Sequence, residues 1–187
     1  MTRIPGMTSP AVSRSVADEV GEASDGQDFV DAACRYRGFT HRRRILFAKA
    51  DALLFVLDEV VGPPGDRLLE LFWHPGEPTA TVAPNCFRIG RRALLAVAAP
   101  AMAELSLGGE NGWRSSALYE KREAPVILAR LHSALPASLA TVIDLAGGAA
   151  AGQAELLADA SEQMVRWKCG GIRTARFGPR AILDRER

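Results

Sequence analysis

The chain has 187 residues, 48% of them hydrophobic and 24% charged, with a formal net charge of +1. That length suits one domain, or one domain with a tail, and the apolar content is enough to bury a real core. With charge so nearly balanced, nothing global demands nucleic acid or a membrane surface as a partner, and attraction for a polyanion must come from a local patch.

Residues 1–26 are rich in Ser, Gly, Asp, Glu and Ala and hold few large apolar side chains. They read as a disordered N-terminal tail, with a frayed helix over 17–23 as the alternative. No apolar segment follows Arg3, so the chain as written carries no export signal and its location stays open. No apolar run reaches the roughly 18–20 residues that a transmembrane helix needs.

From Phe29 onward, short apolar segments alternate with turn signals about every ten residues, the rhythm of a sandwich or barrel. Strands are expected over 28–36, 42–48, 53–61, 67–73, 79–83, 86–89, 93–98, 103–107, 126–131, 139–145, 154–158, 164–168 and 172–177. The first two strands after Phe39 are joined at Ala48–Asp51. Pro- and Gly-bearing stretches such as Gly62-Pro63-Pro64-Gly65 and Pro75-Gly76-Glu77-Pro78 supply the backbone angles of tight turns. Gly170-Gly171, between MVRWK and IRTARF, marks a hairpin. The alanine-rich stretches 93–103 and 149–160 could be helical by propensity, but LLAV continues the strand rhythm of its neighbours. The expected fold is all-β, an antiparallel β-sandwich over 27–187 with two large sheets stacked on their apolar faces; a single curved sheet is the alternative.

The chemistry-bearing motifs of nucleotide-binding, zinc-peptidase and serine-hydrolase folds are missing. The three histidines, His41, His74 and His132, lie far apart, and Cys34, Cys86 and Cys169 form no CxxC pair. No metal site or disulfide framework is expected, and the thiols read as buried and inert.

Two local clusters remain. Arg42-Arg43-Arg44 heads a strand, where alternate side chains face opposite ways, so Arg42 and Arg44 share one face with Leu46. Guanidinium groups fork onto carboxylates and sulfates, which suits an acidic sugar polymer. The plainer reading is a solvated strand edge that resists aggregation. His41, opening the same strand, could accept a proton, hold a metal or make a structural hydrogen bond. The second cluster is Trp113-Arg114-Ser115-Ser116 with Tyr119, Glu120, Lys121 and Arg122. Trp113 and Tyr119 could stack on sugar rings, Lys121 could hold a carboxylate, and a tyrosine can move a proton in β-elimination. Its plainer reading is a long loop anchored by its aromatics. The candidate polysaccharide-binding set is therefore His41, Arg42, Arg44, Trp113, Tyr119 and Lys121. Trp73 and Trp167 lie in apolar strands and read as core.

Two segments together resemble the C-terminal β-region of the heparinase II/III-like polysaccharide lyases, a group that includes some alginate lyases. The first, FVDAACRYRGFTHRRRILFAKADALLFVLDEVVGPPGDRLLELFWHPGE, carries Tyr36, His41, Arg42, Arg43, Asp58, Glu59, Phe72, His74, Pro75 and Gly76 in the family's order. The second, GWRSSALYEKREAPVILARLHSALPASLATVIDL, carries Trp113, Ser115, Tyr119, Lys121, Ala124, Pro125, Val126, Leu135, Pro136, Thr141, Val142 and Ile143. The resemblance covers residues 27–180.

It implies a fold and a reaction. Family members join an N-terminal α/α toroid to such a sandwich and cleave uronic-acid polysaccharides by β-elimination. A base removes the C5 proton, the neutralised carboxylate stabilises the enolate-like intermediate, and an acid protonates the leaving oxygen. No redox cofactor is implied. The toroid and the His-rich strand that serve this reaction have no counterpart here, and Cys34 stands where relatives carry a His. No catalytic residue is therefore carried over. The readings that follow are the sandwich part of a lyase, catalytically incomplete alone and working with a separate α/α domain; a stand-alone acidic-polysaccharide-binding module; or a degraded gene product.

Overall fold

The computed structural model describes residues 15–24, 26–98, 100–147, 150–158, 162–178 and 181–186. In chain order the strands are β1 Ser15–Ser24, β2 Gln27–Tyr36, β3 Phe39–Ala48, β4 Leu53–Val61, β5 Asp66–Trp73, β6 Thr79–Ala83, β7 Cys86–Ile89, β8 Ala93–Val97 and β9 Met102–Leu107. They continue with β10 Trp113–Arg114, β11 Arg122–Glu123, β12 Pro125–Ala134, β13 Ala137–Asp144, β14 Gln153–Ala158, β15 Gln163–Lys168, β16 Ile172–Phe177 and β17 Ala181–Glu186. A single turn of 3-10 helix, Lys49–Asp51, links β3 to β4 where the turn is expected.

Eight strands form one antiparallel sheet in the order β1-β2-β3-β4-β13-β8-β7-β6. A three-stranded sheet, β5-β12-β9, and a four-stranded sheet, β14-β15-β16-β17, complete the body, and β10 and β11 make a small ribbon. The sandwich is three layers deep rather than two. On one face of the large sheet, Phe29, Leu46, Phe55, Leu57, Leu94 and Val142 pack with Val165, Trp167, Ala175 and Phe177 of the four-stranded sheet. On the other face, Phe87, Leu95, Val97 and Leu139 pack with Ile127, Ala129 and Leu131 of the three-stranded sheet.

The sequence pattern explains which strands sit in the middle. A half-exposed strand alternates apolar with polar, whereas a strand covered on both faces is apolar throughout. LLFV of β4 and LLAV of β8 are of the second kind: Leu94 and Ala96 join one cluster, Leu95 and Val97 the other. β6, at the sheet margin, reads TATVA and keeps its middle residues exposed.

Several expectations need correcting. Ser15–Ser24, assigned by composition to the tail or to a frayed helix, instead form β1 and pair with β2, with Val20 opposite Val30. A chain with few apolar side chains can still satisfy its backbone groups along an open sheet edge. Residues 1–14 lie outside the described residues. The strand expected over 154–158 forms as β14, where pairing to β15 and burial of Ala154 outweigh alanine's helical propensity. β17, which turn signals did not mark, pairs with β16. The Gly170-Gly171 hairpin forms as expected, with positive φ at both glycines.

Trp167 is 1% exposed, and Gly152 lies against its ring so closely that a Cβ would fall 1.8 Å from Cη2. Trp167→Ala should destabilise the fold by about 3–5 kcal/mol, and Gly152→Ala by about 1–3 kcal/mol. Urea titration checks both, as a lower midpoint at unchanged slope.

Candidate functional site

The basic head of β3 is held by its neighbours in the large sheet. Arg43 lies directly opposite Asp58 of β4, and Nε and Nη2 donate to its two carboxylate oxygens at 2.7 and 3.1 Å. His41 Nε2 donates to the same carboxylate at 2.6 Å. The Arg43 guanidinium also stands 5.4 Å over the Trp73 ring, joining the large sheet to β5. Arg42 and Arg44 point the other way, toward the four-stranded sheet. Both reach diagonally: Arg42 forks onto Asp31, which sits opposite Arg44, and Arg44 Nη2 reaches Glu59, which sits opposite Arg42, at 2.6 Å. Arg44 Nη1 donates to the Phe177 carbonyl at 2.7 Å, and the guanidinium stands 5.5 Å from that ring.

These contacts turn Arg43 and Arg44 inward, whereas Arg42 keeps about half of its side chain exposed beside its fork onto Asp31. Arg44 is 6% exposed and Asp58 2%. A guanidinium closed by a carboxylate and a carbonyl in the interior is a cross-link between sheets. His41 is half exposed, but its Nε2 is taken by Asp58.

The second cluster forms a cleft. The ribbon of β10 and β11 projects from the connection between β9 and β12. Gly112 closes its base: a Cβ there would lie 2.4 Å from the Gly108 carbonyl oxygen, so no larger residue fits. Trp113 Nε1 donates to the Gly109 carbonyl, and Lys121 Nζ stands 4.2 Å from the centre of the Trp113 ring. Arg114 Nη1 donates to the Gly76 carbonyl at 3.2 Å, tying the ribbon to the loop after β5. Arg122 pairs with Glu120 at 3.2 Å. Between ribbon, loop and the end of β9 lies a cleft of about 680 Å³, walled by Pro75, Pro78, Leu107 and Pro125 and edged by Arg114 and Arg122. Tyr119, at the ribbon tip, is 98% exposed with φ 66°.

The sequence-nominated residues thus divide. Trp113, Lys121 and Tyr119 belong to the ribbon, on the side of the three-stranded sheet. Arg42 and Arg44 face the four-stranded sheet, so the large sheet separates them from Lys121. The partnership of Arg114 and Arg122 with the 75–79 loop was missed. Its one sequence signal was that both segments carry the same family resemblance.

Among the described residues no group of three or more His, Cys, Asp or Glu side chains is placed to hold a metal ion. Burial pushes the Cys86 thiol above its ordinary range, and Cys169 likewise, but only Cys86 is fully buried; Cys34 and Cys169 are partly exposed, against the expectation of three buried thiols. A raised thiol value favours the folded state at neutral pH. That contribution is complete below the ordinary thiol range and is lost as pH rises through the folded-state value.

Arg44→Ala leaves Glu59 and the Phe177 carbonyl without their donor, and the expected loss is about 3 kcal/mol of stability, measured by urea titration. A thiol reagent at neutral pH should leave Cys86 unmodified until the protein unfolds.

No family model matches the chain, and no curated protein matches it. Solved structures do. A heparinase III superposes with a TM-score of 0.66 at 14% identity, over 88% of this chain and 27% of that one. The heparan sulfate lyase HepC from Pedobacter heparinus, as a mutant, gives 0.67 at 10% identity, over 89% and 28%. A further heparinase III gives 0.66 at 10% identity, over 88% and 27%. The chain therefore spans little more than a quarter of the length of the structures it matches, and across that span it is similar to heparinase III and heparan sulfate lyases in fold.

Proposed function

We propose that this chain is the β-sandwich part of a heparinase II/III-like polysaccharide lyase, and that it contributes to β-elimination of uronic-acid polysaccharides only together with a helical catalytic partner. The observation that carries this reading is the superposition of 88% of the chain on about a quarter of each heparinase III. The reaction needs a base at C5, a group that neutralises the carboxylate and an acid for the leaving oxygen. The described side chains with suitable chemistry on β3 are engaged in cross-links, which fits a supporting role. The outer face of the three-stranded sheet fits a docking role: Leu68 and Met102 stand 47% and 76% exposed there, around the Arg130 pairs with Glu70 and Glu104.

A second reading, a stand-alone acidic-polysaccharide-binding module, is favoured by the cleft under the ribbon. Of the candidate set, Trp113, Tyr119 and Lys121 stand on the ribbon beside the cleft without lining it and would bind at its margin, while Arg44 serves the architecture and His41 and Arg42 lie half exposed on the large sheet.

The two readings separate in one assay. Incubated alone with heparan sulfate or alginate, the protein should release no unsaturated uronate product, and addition of a separately produced α/α toroid domain should restore it. Product from the chain alone would overturn the incomplete-lyase reading. Retention on heparin or alginate resin at low salt without restored activity would favour the binding module.

A further inference from the structure

We propose that the cleft between the 75–79 loop and the ribbon is a sugar subsite that takes a ring bearing one anionic group, a carboxylate or a sulfate ester, with Arg114 and Arg122 as its donors. The proposal rests on the polysaccharide reading above and names where the chain meets the polymer. It starts from an anomaly in the ribbon. β10 and β11 pair over only two positions, and one of them sets Arg114 directly opposite Arg122. Like charges directly opposite across an antiparallel pair repel. Arg114 meets only the Gly76 carbonyl among the described residues, and Arg122 only Glu120, in an exposed pair that exchanges readily with solvent or ligand. An anion between the two guanidinium groups would turn the repulsion into a shared, charge-assisted clamp.

The rest of the lining says what carries that anion. Pro75, Pro78, Leu107 and Pro125 offer an apolar wall, with Leu107 65% exposed, suited to the C–H face of a pyranose. Glu77 and Glu123 also line the cleft. Carboxylates accept hydrogen bonds from sugar hydroxyls but repel a dense array of charge. The combination fits a hydroxyl-bearing ring that presents one anionic group to the two guanidinium groups. A volume of about 680 Å³ lies within the range of small-ligand sites.

The test titrates the full chain calorimetrically with four probes: an alginate oligosaccharide, a heparin-derived oligosaccharide, a neutral cello-oligosaccharide and inorganic sulfate. Alginate carries only carboxylates, so its comparison with heparin tells which anionic group is taken. Both anionic oligosaccharides, or one of them, should bind at least tenfold more tightly than the neutral sugar and than sulfate. Arg114→Ala and Arg122→Ala should each weaken binding about tenfold, Arg114→Ala/Arg122→Ala should remove it, and Arg114→Lys should recover only part. The double variant relieves the repulsion, so its thermal midpoint should match or exceed that of the parent, which separates lost binding from lost fold. Undiminished binding of an anionic oligosaccharide by the double variant would overturn the subsite while leaving the polysaccharide reading intact. Sulfate binding as tightly as the oligosaccharides would make this an anion site and overturn the sugar assignment. No binding of any polysaccharide by the parent protein would overturn both.

Discussion

The architecture depends on one constraint: the middle strands of the large sheet are covered on both faces. The middle stretches of β4, β13 and β8 have no solvent side, so most residues there are apolar or bring a partner for their polar atoms; the buried Thr141 hydroxyl of β13 is an exception. Apolar runs in β4 and β8 meet the first condition. Asp58, in the second half of β4, meets the second, and its position decides much of what surrounds it. A carboxylate 2% exposed needs donors, and Arg43 and His41 on β3 supply them. Arg43 in turn lies over Trp73, so one buried acid aligns two layers of the sandwich.

The same logic gives the basic head of β3 its role. Three consecutive arginines in a strand cannot share a face, and the fold uses both directions. Arg43 serves the layer built on β5, and Arg44 serves the layer built on β16 through the Phe177 carbonyl. What reads in one dimension as a cationic patch divides in three: Arg43 and Arg44 are cross-links between layers, while Arg42 stays half exposed and pairs with Asp31 within the large sheet. The basic groups of the ribbon lie outside the layers.

Much of the fold was legible because strand and turn signals are local. The LLFV and LLAV runs, the Gly170-Gly171 turn and the Pro-rich breaks each announce themselves within a few residues. Two elements were not legible: β1 has little apolar character of its own and is defined by the edge of β2 that it pairs with, and β17 follows no clear turn signal. The site divides similarly. The alternation of Arg42, Arg43 and Arg44 between faces follows from strand geometry, but which carboxylate each would meet depends on register. Arg42 and Arg44 bond to acids diagonal to them rather than opposite. The cleft was the least visible feature, because the 75–79 loop and the ribbon are far apart in sequence and meet only through the pairing of β5 and β9 on either side of β12.

The base of the ribbon has a further meaning. Gly112 is wedged against the Gly108 backbone, and the Ala124 amide closes onto the Gly112 carbonyl at 2.8 Å. Beyond that clasp, the hydrogen bonds of residues 115–121 run chiefly among themselves, from Ser115 to Ala117 and Ser116 to Glu120. The molecule thus separates a tightly packed backbone clasp from a segment that makes no contact with either core cluster. Exchange of that segment between related sandwiches would change what the surface recognises while leaving folding untouched, so the ribbon is the natural unit on which selection, or a protein engineer, could act to alter ligand preference.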